Sequence, residues 1–110
     1  MQRRNILFTW EAIYDITDIA EYIEFEFGID RADQFQEELK GQIDLLGSTN
    51  VIFKKTQFYY HNYSIHQKPF PPAIIFYILT THELHILRIL REERDWKSIL
   101  NREQVYTYPS

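Results

Sequence analysis

Residues 10–47, WEAIYDITDIAEYIEFEFGIDRADQFQEELKGQIDLLG, decide the fold. Ala12, Ile13, Ile16, Ile19, Ala20, Ile23 and Phe27 recur at three- and four-residue steps with acids between them, the pattern of an amphipathic helix. Thr9 stands where an N-cap belongs and Gly28 where such a helix stops. Asp30 is placed to cap a second helix, whose stripe is Ala32, Phe35, Leu39, Ile43 and Leu46, with Gly47 at its end. Gly41 inside it costs about 1 kcal/mol relative to alanine. Only Gly28 and Ile29 separate the two patterns, so the helices must fold back as an antiparallel hairpin. Two helices cannot bury both stripes against each other, and a third surface is required.

That surface is predicted from the strands on either side. Residues 3–8 hold the β-favouring run Ile6-Leu7-Phe8. After a polar loop near residues 48–50, the Tyr-rich residues 58–66 read as one strand, interrupted by Pro69, Pro71 and Pro72. Residues 73–79, AIIFYIL, are apolar on both faces, as a central strand covered twice requires. Residues 81–83 make a turn, and 84–90, LHILRIL, form the last long strand. Strict alternation sets His85, Leu87 and Ile89 on one face and Leu84, Ile86, Arg88 and Leu90 on the other. Beyond Arg91 charges dominate. Asp95 is placed to cap a short helical turn through Trp96 and Leu100, and Val105, Tyr106 and Tyr108 finish the chain. The expectation is an α+β fold, an N-terminal strand and two-helix hairpin packed on a mainly antiparallel sheet that ends in a three-strand meander. One domain spanning 1–110 is expected, with its order after about residue 100 left open.

An apolar fraction of 45%, 16% aromatic residues and only three Gly and four Pro describe a chain that packs a core. A chain of this length buries roughly two thirds of the surface its unfolded form exposes. With no cysteine, disulfides, thiolate zinc sites and cysteine nucleophiles are excluded. The apolar start is too short for a signal-peptide core, and no run nears the roughly 20 residues of a membrane span. A soluble, cytoplasmic protein without membrane partners is expected. Its net charge of −4 is unevenly divided. Residues 11–44 hold eleven acids against two bases, a net of −9, and the rest ten bases against five acids, a net of +5. The second part therefore suits an anionic partner, while the acids suit the solvated faces of two helices.

The first helix carries Ala12, Asp15-Ile16, Ile19 and Tyr22-Ile23, and the last strand reads Ile86-Leu87-Arg88-Ile89-Leu90, followed by Arg91 and Arg94-Asp95-Trp96. These motifs, with the order of elements over roughly residues 5–100, resemble the RelE/ParE toxins of type II toxin-antitoxin systems, on the ParE-like side. Unlike many members, residues 48–55 contain no glycine or proline, and residues 58–66 no arginine. The resemblance implies a growth-arresting toxin of the kind that stabilises plasmids. It would be held by a cognate antitoxin as a hetero-oligomer and would act by binding DNA gyrase, without a cofactor. The alternative it implies is a RelE-like mRNA endoribonuclease acting with the ribosome. A third reading is an adaptor or decayed toxin that keeps only antitoxin binding.

Arg88 stands out because its strand face is otherwise apolar, so its guanidinium must be paired or line a groove. A structural salt bridge, to Glu83, Glu92 or a helix acid, and a contact to an anionic partner are equally open. Arg91, Arg94 and Lys97 beside Trp96, with Asp95 among them, form a short basic cluster of the kind that meets an anionic surface. For the nuclease alternative the candidates are Lys54, Lys55, His61, His66, Lys68, Arg88, Arg91 and Arg94, groups able to activate a 2′-hydroxyl or stabilise charge on phosphate. The acidic whole and an arginine-free Tyr-rich strand argue against it. His82 and His85 have metal-ligand spacing, but one falls in a turn and the other in a strand with no third ligand, so no metal is expected. No Gly-rich phosphate loop or nucleophile-elbow serine occurs.

Overall fold

Thr9 ends one element and starts the next. In the computed structural model, which describes residues 3–103 and 105–110, β1 (Asn5–Phe8) stops there and α1 (Trp10–Phe27) begins. The Thr9 hydroxyl accepts from the Ala12 N–H at 2.9 Å, the N-cap bond, and donates to the Leu87 carbonyl at 2.7 Å. At the other end Gly28 adopts φ +95°, a region L side chains rarely enter. Its N–H donates to the Glu24 carbonyl at 2.9 Å, and its own carbonyl accepts from Ala32 at 3.3 Å to open α2 (Ile29–Ser48). Gly28 alone is thus the joint. This corrects the expected cap at Asp30, which lies in the first turn of α2, where its charge complements the helix dipole.

The sheet follows as β2 (Lys55–Tyr60), β3 (Tyr63–Phe70), β4 (Ala73–Leu79) and β5 (Glu83–Arg91), in spatial order β1-β5-β4-β3-β2. β1 runs parallel to β5 and the other pairs are antiparallel, so the mainly antiparallel α+β expectation stands. The meander has four strands, where three were expected, because residues 58–66 are not one strand. They turn back at His61 and Asn62, both at positive φ (49° and 70°), the backbone of a tight two-residue hairpin. Pro69 lies inside β3 and ends no strand. The Gln67 N–H points toward β2, to the Lys54 carbonyl, and by alternation Pro69 would direct its missing N–H past the start of β2.

Both faces of this sheet are covered. On one, Ala12, Ile19, Ile23, Phe35, Leu39 and Ile43 of the hairpin pack on Ile75, Tyr77, Leu84, Ile86 and Ile89. On the other, Leu100 of α3 (Trp96–Arg102) and Tyr106 of the tail lie over Ile65, Phe76, Ile78, Leu87 and Leu90. β4 is therefore buried on two sides, as AIIFYIL predicts. β5 departs from strict alternation: Phe76 pairs with Arg88 but Tyr77 with Ile86, so Leu87 is an extra residue. The bulge corrects the face assignment. Ile89 joins Leu84 and Ile86 on the hairpin side, while Leu87 and Leu90 face α3.

Candidate functional site

The bulge arises where β5 loses its neighbour, because β1 ends opposite Ile86. From there α1 supplies the edge. Thr9 takes the Leu87 carbonyl, and the Asp15 carboxylate accepts the Ile89 N–H at 3.0 Å. The same carboxylate receives Arg88 twice, Nε at 2.7 Å and Nη2 at 2.8 Å, the parallel fork of a bidentate pair. Arg88 Nη1 is bound by Glu103, just past the end of α3. Asp15 is buried and Arg88 partly so, their side chains 6% and 14% exposed. Burial pushes the Asp15 carboxyl up, against the pull of Arg88 and the Ile89 N–H, and the two carboxylates hold the Arg88 guanidinium above its ordinary value despite its burial. Arg88 thus ties α1, β5 and the end of α3 into one knot.

The remaining residues of the basic segment divide by what already occupies them. Arg91 lies over the Tyr22 ring at 4.0 Å and pairs with Glu93 at 2.9 Å. Asp95 caps α3, accepting from the Ser98 N–H and hydroxyl at 3.3 and 2.7 Å, which hold its carboxyl below the usual range. Trp96 packs on Phe76, ring centroids 5.1 Å apart, and anchors the helix. Arg94 and Lys97 make no ion pair with any described residue and are exposed, Lys97 beside the Trp96 ring at 5.6 Å. A cleft of about 260 Å³ opens between α1 and the end of β5, walled by Asp15, Asp18 and Tyr22 on one side and Arg91 and Arg94 on the other. A second, also about 260 Å³, is lined by Arg88, Arg94, Ile99, Arg102 and Glu103. Arg94 borders both. Arg94, Lys97 and Arg102 are exposed and form no salt bridge with a described residue, while Arg94 acts electrostatically on Asp15, and Lys97 and Arg102 on Asp95.

The tail crosses back to the start of α1. Glu11 accepts the Thr107 N–H at 3.0 Å and its hydroxyl at 2.9 Å, and Trp10 N–H donates to the Thr107 carbonyl at 2.8 Å. Tyr106 packs edge-on against Tyr60, and the Tyr108 hydroxyl meets His85 Nδ1 at 2.8 Å. Burial pushes the Tyr108 phenol up to about 12. Although its burial acts in the opposite direction, the Thr107 bonds leave the Glu11 carboxyl below its ordinary value. A depressed carboxylate stabilises its contact above the unfolded pKa, about 4.3, and loses that contribution as pH falls through the folded value. The Thr107 amide is accordingly expected to lose hydrogen-exchange protection on acidification through that range. In Glu11→Gln its protection should be lower at neutral pH and pH-independent; an unchanged, pH-sensitive profile would contradict the clamp.

The nuclease candidates do not converge. His66 and Lys68 stand on β3, two strands and ~10 Å from β5. His66 is buried, its Nδ1 on the Phe53 carbonyl at 2.9 Å and its ring stacked on Tyr77. Lys68 lies over the Phe53 ring at 4.8 Å. His61 occupies the β2–β3 turn against Tyr60, and Lys54 and Lys55 are exposed at the start of β2. His85 is held by Glu83 and Tyr108, and no group of three or more His, Cys, Asp or Glu suited to a metal occurs among the described residues. No helix among them is long and apolar enough to cross a membrane.

The family model described as the ParE toxin of the type II toxin-antitoxin system, parDE, matches residues 6–96, from β1 through the first residue of α3. The chain belongs to the ParE toxin family. Among solved structures, the chromosomal ParDE toxin-antitoxin system from P. aeruginosa has the same fold, with a TM-score of 0.71 over 83% of this chain and 98% of that one. Sequence identity is 17%, so that likeness speaks for the fold. No curated protein sequence matches. The ParE match includes Arg88, Arg91, Arg94 and Trp96 and stops before Arg102, Glu103 and the tail. Sequence reasoning offered a helix acid as a partner of Arg88 without singling out Asp15, and missed Glu103 as the second partner and Glu11 as the anchor of the tail. Asp15 had a visible signal: it occupies the buried face of α1 with Ala12, Ile19 and Ile23, where an uncompensated acid does not belong.

Proposed function

We propose that this ParE-family chain is the toxin of a two-protein pair, held by a cognate antitoxin, and that it arrests growth by binding DNA gyrase without chemistry of its own. The observation that carries the reading is the pair of exposed cations without a salt bridge, Arg94 and Lys97, presented at the start of α3 on a segment that Trp96 and Arg88 hold in place. Arg88 supports this surface from beneath, with its guanidinium engaged by two carboxylates. The dispersal of His66 and Lys68 from Arg91 and Arg94 favours binding over ribonucleolytic catalysis.

The purified chain is expected to inhibit gyrase supercoiling. Reversing both charges, Arg94→Glu with Lys97→Glu, should weaken inhibition at least tenfold with little change in thermal stability, since both side chains are exposed. Cleaved transcripts in a translating lysate, with supercoiling untouched, would favour the ribosome-dependent nuclease instead.

A further inference from the structure

Three arginines border one cleft where β5 and α3 meet. About 260 Å³ in volume, it is lined by Arg88, Arg94, Ile99, Arg102 and Glu103. Arg88 comes from β5, Arg94 from the turn before α3, and Arg102 from the last turn of that helix. Asp15 takes Arg88 from the α1 side through Nε and Nη2, and Glu103 takes Nη1. Arg94 and Arg102 are exposed and form no salt bridge with a described residue. At longer range Asp15 pulls on Arg94, and Asp95 on Arg102. The ParE match ends before Arg102 and Glu103, so that wall of the cleft lies outside it.

Glu103 shows what the cleft accepts. Its carboxylate, on a side chain 27% exposed, sets an oxyanion on Arg88 within the lining. Only Nη1 is involved, so exchanging that oxyanion for another leaves the fork between Arg88 and Asp15 intact. A carboxylate is planar and offers two oxygens. A phosphate monoester offers three, around a tetrahedral centre, and carries nearly two charges at neutral pH. Three guanidinium groups from three places in the chain match the second shape better than the first. A wider cleft, about 460 Å³, shares Arg94, Ile99 and Arg102 with the first and adds Asp95, Ser98 and Asn101. Its polar wall, with the Asp95 carboxylate as an acceptor, suits the hydroxyls of a sugar.

We propose that these adjoining clefts bind a nucleoside phosphate monoester. The phosphate sits between Arg94 and Arg102 and displaces Glu103 from Arg88 Nη1, and the sugar lies in the wider cleft. A free nucleotide and the 5′-phosphorylated end of a nucleic-acid strand share this chemistry. Glu103 is then the cleft's resident competitor, an acid of the chain itself that a more highly charged ligand replaces. The inference does not use the gyrase reading, and its test reads binding alone.

The test is calorimetric titration of the full chain with four probes: a nucleoside, its 5′-monophosphate, and one short single strand with and without a 5′-phosphate. Each phosphorylated probe is expected to bind at least tenfold more tightly than its unphosphorylated counterpart. Arg102→Ala, at an exposed position, should weaken that binding at least tenfold. Glu103→Gln should strengthen it at least threefold, because the competing charge is gone. Equal affinity of the monophosphate and the phosphorylated strand assigns the site to free nucleotide, and a tenfold preference for the strand assigns it to a strand end. No binding of either phosphorylated probe, or equal binding with and without the phosphate, overturns the proposal. So does wild-type affinity in Arg102→Ala, or weaker binding in a folded Glu103→Gln. If Glu103→Gln does not fold, Arg102→Ala and the comparison of probes decide.

Discussion

Arg88→Ala is expected to cost about 3–5 kcal/mol of folding stability, because it strands the buried Asp15 carboxylate without its bidentate partner. For a domain of this size that lowers the melting temperature by more than ~10 °C. The loss is not simply one of charge. Asp15 also accepts the Ile89 N–H, so replacing both members by apolar residues leaves a buried amide without an acceptor and should recover only part of the stability. Asp15→Asn retains an acceptor for that amide and should cost less than Arg88→Ala. Urea unfolding of the three variants checks this order. A loss below about 1 kcal/mol in Arg88→Ala would show that Arg88 is not the knot described, and would return its guanidinium to the list of groups open to a partner.

Phe76→Ala should be comparably damaging, at about 3–5 kcal/mol, since Phe76 is fully buried beneath the α3 side of the sheet. Its consequence reaches further. The Trp96 ring rests on Phe76, so α3 loses its anchor, and Arg94 and Lys97 lose their placement. Hydrogen exchange is expected to show the α3 amides of the variant deprotected before those of the helical hairpin. Uniform deprotection of both would mean that α3 is held by the remaining contacts of Leu100 and Tyr106. The contrast with Arg94→Glu and Lys97→Glu is diagnostic: the charge reversals should alter target binding at constant stability, and Phe76→Ala should alter both.

Much of this arrangement was legible in order along the chain. The three- and four-residue spacing of Ile16, Ile19, Ile23 and then Phe35, Leu39, Ile43 placed both helices, because a helix must bury one stripe. AIIFYIL read as a doubly covered strand, and β4 is one. The hairpin at His61-Asn62 escaped notice because Tyr59, Tyr60 and Tyr63 are β-favouring on both sides, and the only turn signal was an Asn preceded by a His, without glycine. The bulge at Leu87 had no local signal at all. LHILRIL alternates acceptably in either register, and the choice was made by Thr9 and Asp15, which lie more than seventy positions earlier.

The candidate site divides the same way. Its cations were visible as types and positions, and so was the resemblance to RelE/ParE toxins that the ParE match bears out. Their availability was not visible, since an ion pair depends on distance in space. Arg88 and Asp15 are 73 residues apart in the chain and 2.7 Å apart in the fold. By itself the sequence determined the α+β class, the helical hairpin, the doubly buried strand and the family, because periodic burial and local motifs are written in neighbouring residues. Only the tertiary structure decided which arginine is consumed in holding the fold and which, Arg94 with Lys97, stays exposed without a salt bridge. It also set β1 at the edge of the sheet, because strand order is decided by pairing between residues far apart in the chain.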